Sequence, residues 1–406
     1  MMPPSDSTYF RKGFGLKTAV QDELASDYDG RLVDALRANE YTLTAGDVTV
    51  RLAKEFGFCY GVERAVEYAY QTRRKFPDKR IFLVGEIIHN PHVNSKLREM
   101  GIEILAPSES GVFDYSVVKP EDVVIMPAFG VTIADFETLR KIGCVMVDTT
   151  CGSVLNVWKR VDGYAKDGFT ALIHGKYYHE ETRATASQVT KFPNGHYIVV
   201  RHMDDVRVLC DFIEGKGVTR EMVLEKFHHS VSPGFDPEQH LQRVGVANQT
   251  TMLARESLAI GEEVGAAMER RYGPAHRAEH FRTFDTICSA TQDRQDAVRE
   301  LLEEPLDVMI VVGGYNSSNT ISLAAICAER VTTYHIEDAS AIDPESGAIR
   351  YRPAGIHHSE KTVSGWLPPA GAVRVGLTAG ASTPNNKIGE TVARVLATRG
   401  VVPELG

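Results

Sequence analysis

From Val48 onward, short β-branched runs recur along the chain, each followed by a turn and then a helix-like stretch. They read VTVRLA (48–53), RIFLVGE (80–86), DVVIMPAF (122–129), CVMVDTT (144–150), TALIHG (170–175) and HYIVV (196–200). Later come DVMIVVGG (307–314), TTYHIED (332–338) and AVRVGLTAG (372–380). Strands that alternate with helices build βαβ units, so the pattern predicts an α/β protein with parallel sheets. Residues 203–247 interrupt the rhythm: they are charged, contain HHSVSPGFDP, and read as an inserted helical excursion. Residues 1–48 are polar and mixed in charge, and read as a partly helical extension.

A chain of 406 residues suggests two or three domains and can bury a large core without staples. Its 43% hydrophobic and 24% charged residues are ordinary for a globular enzyme and too apolar for a disordered chain. The net charge of −9 argues against nucleic acid or an anionic membrane as the main partner. No apolar run approaches the ~18 residues of a membrane span. The start, MMPPSDSTYFRKGFG, lacks the apolar stretch of a secretory signal. Six cysteines in such a chain read as thiols or metal ligands rather than disulfides.

Three of the six share one context. FGFCYGVERAVEYAY, VDTTCGSVLNVWKRV and TICSATQDRQDAVRELL each give a strand end, a cysteine in a tight turn, then an amphipathic helix. Ligands of parallel α/β folds bind outside the carboxyl ends of strands. Cys59, Cys151 and Cys288 would each sit near a helix N-terminus, whose partial positive charge favours the thiolate that a metal needs. Their separations, 92 and 137 residues, exclude a local zinc finger. Cys144, Cys210 and Cys327 lack the context and read as core. Thiolates suit iron–sulfur clusters or zinc, and cysteine count does not separate the two.

Polar residues cluster after the strands as well. HGKYYHEETRAT (174–185) puts His179 and Glu181 just past a strand, where extended spacing points both side chains to one side. GYNSSNT (314–320) puts Ser317, Ser318 and Asn319 before a helix expected to start near Thr320; three successive small donors resemble an anion nest. TAGAST (378–383) repeats the design with Ser382, EIIHN offers His89, and NQTTM offers Thr250. Neither donor turn contains a basic residue. No P-loop or H-E-x-x-H motif occurs.

In order, GFCYGVERAV, EIIHN, DTTC, HEET, NQTT, TICSAT, NSSNT and TAGAST resemble the 4-hydroxy-3-methylbut-2-enyl diphosphate reductase family, from about Lys54 to Val392. RKGFG and HGKYYHEETRATAS resemble its longer plant and cyanobacterial branch. The resemblance implies three α/β domains with small parallel sheets around a central iron–sulfur cluster. The expected parts are an extension (1–48), domains over 49–150, 151–287 (with the 203–247 insertion) and 288–380, and a tail (381–406) returning to the first domain. By position, Cys59, Cys151 and Cys288 match the ligands of one 4Fe–4S cluster with an open iron site, and Glu181 matches the proton-delivering acid. His89, His179, Thr250, Ser317, Ser318, Asn319 and Ser382 match substrate contacts. The implied reaction is reductive dehydroxylation of an allylic alcohol diphosphate in the non-mevalonate isoprenoid pathway. Ferredoxin or flavodoxin is the expected electron donor, and the expected location is the bacterial cytoplasm, or a plastid if a transit peptide has been removed. Two positions depart from the family pattern: Phe129 stands where many bacterial members have histidine, and Gly152 follows Cys151 where proline is usual. A non-redox 4Fe–4S dehydratase is the alternative reading, and a non-catalytic iron–sulfur sensor a third.

Overall fold

The computed structural model describes residues 8–354, 359–368 and 370–402. The first seven residues of the expected extension and the last four of the expected tail lie outside them. The chain forms two compact units that interleave in sequence.

One unit takes the described residues of Met1–Lys12, with Asp78–Ile87 and Gly101–Cys288. It holds two all-parallel sheets. The first has the order Tyr9–Phe10, Val145–Asp148, Val123–Met126, Ile81–Val84, Ile102–Leu105. The second has the order Phe281–Thr283, Val244–Asn248, Thr170–His174, Tyr197–Val200. Val123–Met126 and Thr170–His174 are buried at every residue, as expected of parallel strands covered on both faces. The 203–247 stretch carries the helices Met203–Glu214, Arg220–Lys226 and Pro237–His240. The first of these packs against the helix Ala254–Tyr272, burying Val206, Leu209 and Cys210 in the core of the second sheet.

The other unit takes Gly13–Pro77, Ile88–Met100 and the described part of Ser289–Gly406. Its main sheet has the order Thr333–Ile336, Val308–Val312, Val373–Ala379, Val48–Leu52, Thr42–Ala45, parallel except for the last pair. A small antiparallel ribbon, Ile342–Asp343, Ala348–Tyr351 and Lys361–Ser364, stands beside it in sequence. The helix Asn385–Ala397 packs on the helix Arg31–Ala38, with Val33, Leu36, Val392 and Val395 fully buried in one apolar cluster. Gly30 permits this approach, because a Cβ there would lie 2.7 Å from the Asn385 carbonyl oxygen. The fold is thus mixed α/β with several small parallel sheets, as the strand pattern predicts.

Candidate functional site

Each of the three singled-out cysteines stands at the start of a helix. Cys59 is the N-cap of Tyr60–Lys75, Cys151 is the N-cap of Gly152–Lys166, and Cys288 directly precedes Ser289–Leu301. All three are partly exposed, whereas Cys144, Cys210 and Cys327 are buried. Burial pushes the Cys144 thiol up to about 11 and the Cys210 thiol up to about 12, and raises that of Cys327 as well. Those three therefore stay protonated and inert, in accord with their reading as core.

The first unit contains Cys151, Cys288, His179, Glu181 and Thr250. The turn before Cys151 is braced by Asp148, whose carboxylate accepts from the Thr150 amide at 2.9 Å and from the Tyr9 hydroxyl at 2.6 Å. The Cys151 amide donates to the Ala128 carbonyl at 2.9 Å. Burial, then the neighbouring Asp148 charge, raises the Tyr9 phenol far above its ordinary value, so it remains a donor.

His179 and Glu181 do not have the extended spacing expected from the sequence. His179 is the N-cap of the helix Glu180–Ser187, and its Nδ1 accepts from the Glu181 amide at 3.1 Å. Glu181 therefore lies in a first helical turn. With Nδ1 accepting, the neutral imidazole carries its proton on Nε2. The ring meets Phe129 edge-on, with centroids 5.5 Å apart. Glu181 is 2% exposed. Its carboxylate accepts from the Thr250 amide at 2.6 Å and from the Thr250 hydroxyl at 3.1 Å. The Thr250 carbonyl accepts from the Cys288 amide at 3.2 Å, so one threonine joins the candidate acid to a candidate ligand.

The second unit contains Cys59, His89, Ser317, Ser318, Asn319 and Ser382. The helix of the NSSNT turn is Ser318–Ala328, beginning two residues earlier than expected, because the Ser317 hydroxyl accepts from the Thr320 amide and caps it. Ser317 thus combines the cap role with a place at a helix N-terminus, where the dipole favours anions. The Ser382 hydroxyl donates to the His89 carbonyl at 3.2 Å and lies 3.5 Å from the Ser317 hydroxyl. Asn319 Oδ1 accepts from the Ala381 amide at 2.9 Å. The backbone closes up tightly: a Cβ on Gly314 would stand 2.5 Å from the His89 carbonyl oxygen. His89, Ser317, Ser318, Asn319 and Ser382 are all buried. The two donor turns predicted from sequence therefore meet beside His89.

Three participants escaped the sequence reading. Lys176 is buried, its ammonium held down at about 8 by desolvation and then by the Arg201 charge. Gln249 accepts from the Lys176 amide and the Thr182 hydroxyl, both at 3.1 Å, tying the HGKYYHEET turn to NQTT. Arg294 is buried and donates to the carbonyls of the segment leading to Cys59. In sequence each resembles an exposed polar residue, and only packing distinguishes it. His92 is half-buried and meets the Tyr28 ring edge-on. No helix among the described residues is long and apolar enough to cross a membrane.

Residues 50–396 match the family model described as LytB protein. A 4-hydroxy-3-methylbut-2-enyl diphosphate reductase from Thermosynechococcus vestitus is 46% identical, across 98% of this chain and 96% of that one. A Gloeobacter violaceus protein of the same name is 48% identical, across 97% and 93%. Among solved structures, (E)-4-hydroxy-3-methyl-but-2-enyl diphosphate reductase, titled the terminal enzyme of the non-mevalonate pathway, is similar with a TM-score of 0.51 at 29% identity. That match covers 85% of this chain and 98% of the other. The Plasmodium falciparum reductase shares the fold with a TM-score of 0.62 at 22% identity, across 86% and 87%.

Proposed function

The chain belongs to the LytB protein family, and from that premise we propose how it performs the reductive dehydroxylation of 4-hydroxy-3-methylbut-2-enyl diphosphate. The products are isopentenyl and dimethylallyl diphosphates; the reaction takes up an electron pair and two protons and releases water. Cys59, Cys151 and Cys288 would hold one 4Fe–4S cluster with an open iron site. The donor set suits such a group: three partly exposed thiols, each at a helix N-terminus that favours the thiolate. When bound, the cluster supplies single electrons and a Lewis-acidic iron for the alcohol oxygen.

The chain's own residues do the rest. The diphosphate is held by neutral donors at the Ser318–Ala328 N-terminus together with Ser382 and His89. Glu181 delivers the proton that turns the hydroxyl into water. The Thr250 hydroxyl can donate to the Glu181 carboxylate or accept from its acid form, so it serves both protonation states. The Thr250 amide fixes the other oxygen throughout. His179 sets the start of the helix that carries Glu181 and offers its Nε2 proton to substrate.

The observation that carries this reading is the chain from Glu181 through Thr250 to the Cys288 amide, which ties the acid to the backbone of a proposed ligand. Ferredoxin or flavodoxin is the proposed electron donor. The test is an anaerobic assay with the allylic diphosphate and a chemical reductant. Formation of both products only when reductant is present supports the proposal, and water loss without reductant would place the protein among dehydratases instead.

A further inference from the structure

Arg294 lies on the helix Ser289–Leu301 and is 4% exposed. Its guanidinium donates to the carbonyls of Gly57 at 2.8 Å, Phe58 at 3.2 Å and Phe56 at 3.4 Å. A further bond reaches the Ala290 carbonyl at 2.9 Å. Every one of these acceptors is a neutral carbonyl, and among the described residues no carboxylate pairs with Arg294. Burying a charge without a countercharge is costly, and proteins that do so usually place an opposite charge nearby.

The acceptors point to where that charge belongs. The Phe58 carbonyl and the Cys59 amide form one peptide group. Arg294 holds its oxygen, while its N–H donates to the Ala381 carbonyl at 3.2 Å. Asn319 then takes the Ala381 amide on Oδ1 and donates from Nδ2 to Thr291 Oγ at 3.4 Å. Thr291 is on the same helix as Arg294. The loop before Cys59, the TAGAST turn, the NSSNT helix and the Arg294 helix thus form a closed ring of hydrogen bonds within one unit.

We propose that Arg294 is a positioning residue that fixes the peptide presenting the Cys59 thiol and supplies the buried cation facing an anionic cluster. The inference rests on the cluster reading above. Thiolate-bound clusters gain negative charge on reduction, and a fixed cation in a low-dielectric interior favours the more negative state. Arg294 therefore raises the reduction potential. A residue serving only to pack the loop would leave that potential alone.

The test uses protein purified anaerobically with its cluster, as parent, Arg294→Gln and Arg294→Lys. Midpoint potential by spectroscopically monitored titration and the rate of iron release to a ferrous chelator are measured. Arg294→Gln should show a lower potential and iron release several-fold faster. Arg294→Lys should keep the parent potential, because the charge remains, yet release iron faster, because an ammonium does not span three carbonyls. A parent-like potential in Arg294→Gln overturns the proposal. If Arg294→Gln does not fold, Arg294→Met, which keeps the apolar stem and removes the charge, takes its place: a lower potential supports the proposal, and a parent-like potential overturns it. A parent protein without iron would overturn the cluster reading itself, a separate outcome.

Discussion

Both carboxylate oxygens of Glu181 are held by Thr250, one through its amide at 2.6 Å and the other through its hydroxyl at 3.1 Å. The two contacts are separable by mutation, since only the second depends on the side chain. Glu181→Gln keeps size and hydrogen bonding but has no proton to give. It should retain the iron–sulfur absorbance yet turn over at least about a hundredfold more slowly. Thr250→Val keeps the amide contact and should slow turnover less than Glu181→Gln. Near-parent anaerobic rates in Glu181→Gln would move the proton source to His179.

The cysteines divide cleanly. Serine at Cys59, Cys151 or Cys288 should abolish the brown absorbance and lower iron content. Serine at Cys144, Cys210 or Cys327 should leave both intact while reducing stability, because a hydroxyl is placed in a buried apolar site. Full iron content in Cys151→Ser would refute the ligand assignment.

Ser317 and Ser382 should differ in kind. Each removed hydrogen bond to a charged phosphate costs about 1.5–3 kcal/mol, or roughly ten- to a hundredfold in affinity. Ser317 is also an N-cap, so Ser317→Ala should lose about 1 kcal/mol of stability besides. Calorimetric binding of the diphosphate together with thermal melts separates the two effects. Unchanged binding in both variants would leave Ser317 a cap and nothing more.

Gly152 is the first residue of its helix, a position where proline is favoured. Cys151 before it is already extended, with φ −61° and ψ 141°, as a residue preceding proline must be. A Cβ at Gly152 meets no atom within 4 Å. Gly152→Pro should therefore keep the cluster and gain about 0.4–1 kcal/mol, read as a higher melting temperature. Loss of iron in that variant would mean that the glycine's freedom is needed by the ligand turn.

Acid should destabilise the protein through buried imidazoles. Burial holds His335 down at about 4, with Nε2 bonded to the Gly313 carbonyl at 2.9 Å. Below its unfolded value of about 6.5 the unfolded chain binds more protons, so stability falls as pH drops from there toward 4. His335→Gln retains a donor but does not titrate, and should recover roughly 1–3 kcal/mol of that loss. His174, also held near 4 by burial, keeps part of the slope. Melts between about pH 7 and 4.5 check this, and an unaltered slope would contradict it.

The strand–cysteine–helix repeats were legible because a β-branched run, a turn and an amphipathic stretch are local patterns. Helix starts were less so. His179 is an uncommon cap, and its helix cannot be told from extended chain in KYYHEET without seeing Nδ1 take an amide proton. Val48–Leu52 pairs on one side with a distant strand, Val373–Ala379, which a five-residue pattern cannot name. Arg294 was invisible for the same reason: TQDRQDAVREL reads as a solvated helix, and the Phe56, Gly57 and Phe58 carbonyls it holds lie more than two hundred residues earlier.

Large apolar clusters inside each unit consist mostly of aliphatic and aromatic side chains, and Cys59, Cys151 and Cys288 belong to none of these. Small metal domains collapse when their ion is stripped, because binding energy and folding energy are one quantity there. Here each unit has its own buried core, and the three thiols lie partly exposed outside these clusters. A cluster held by these thiols and then lost would therefore leave a scaffold open to refilling, with iron and sulfide to be delivered but no new round of folding.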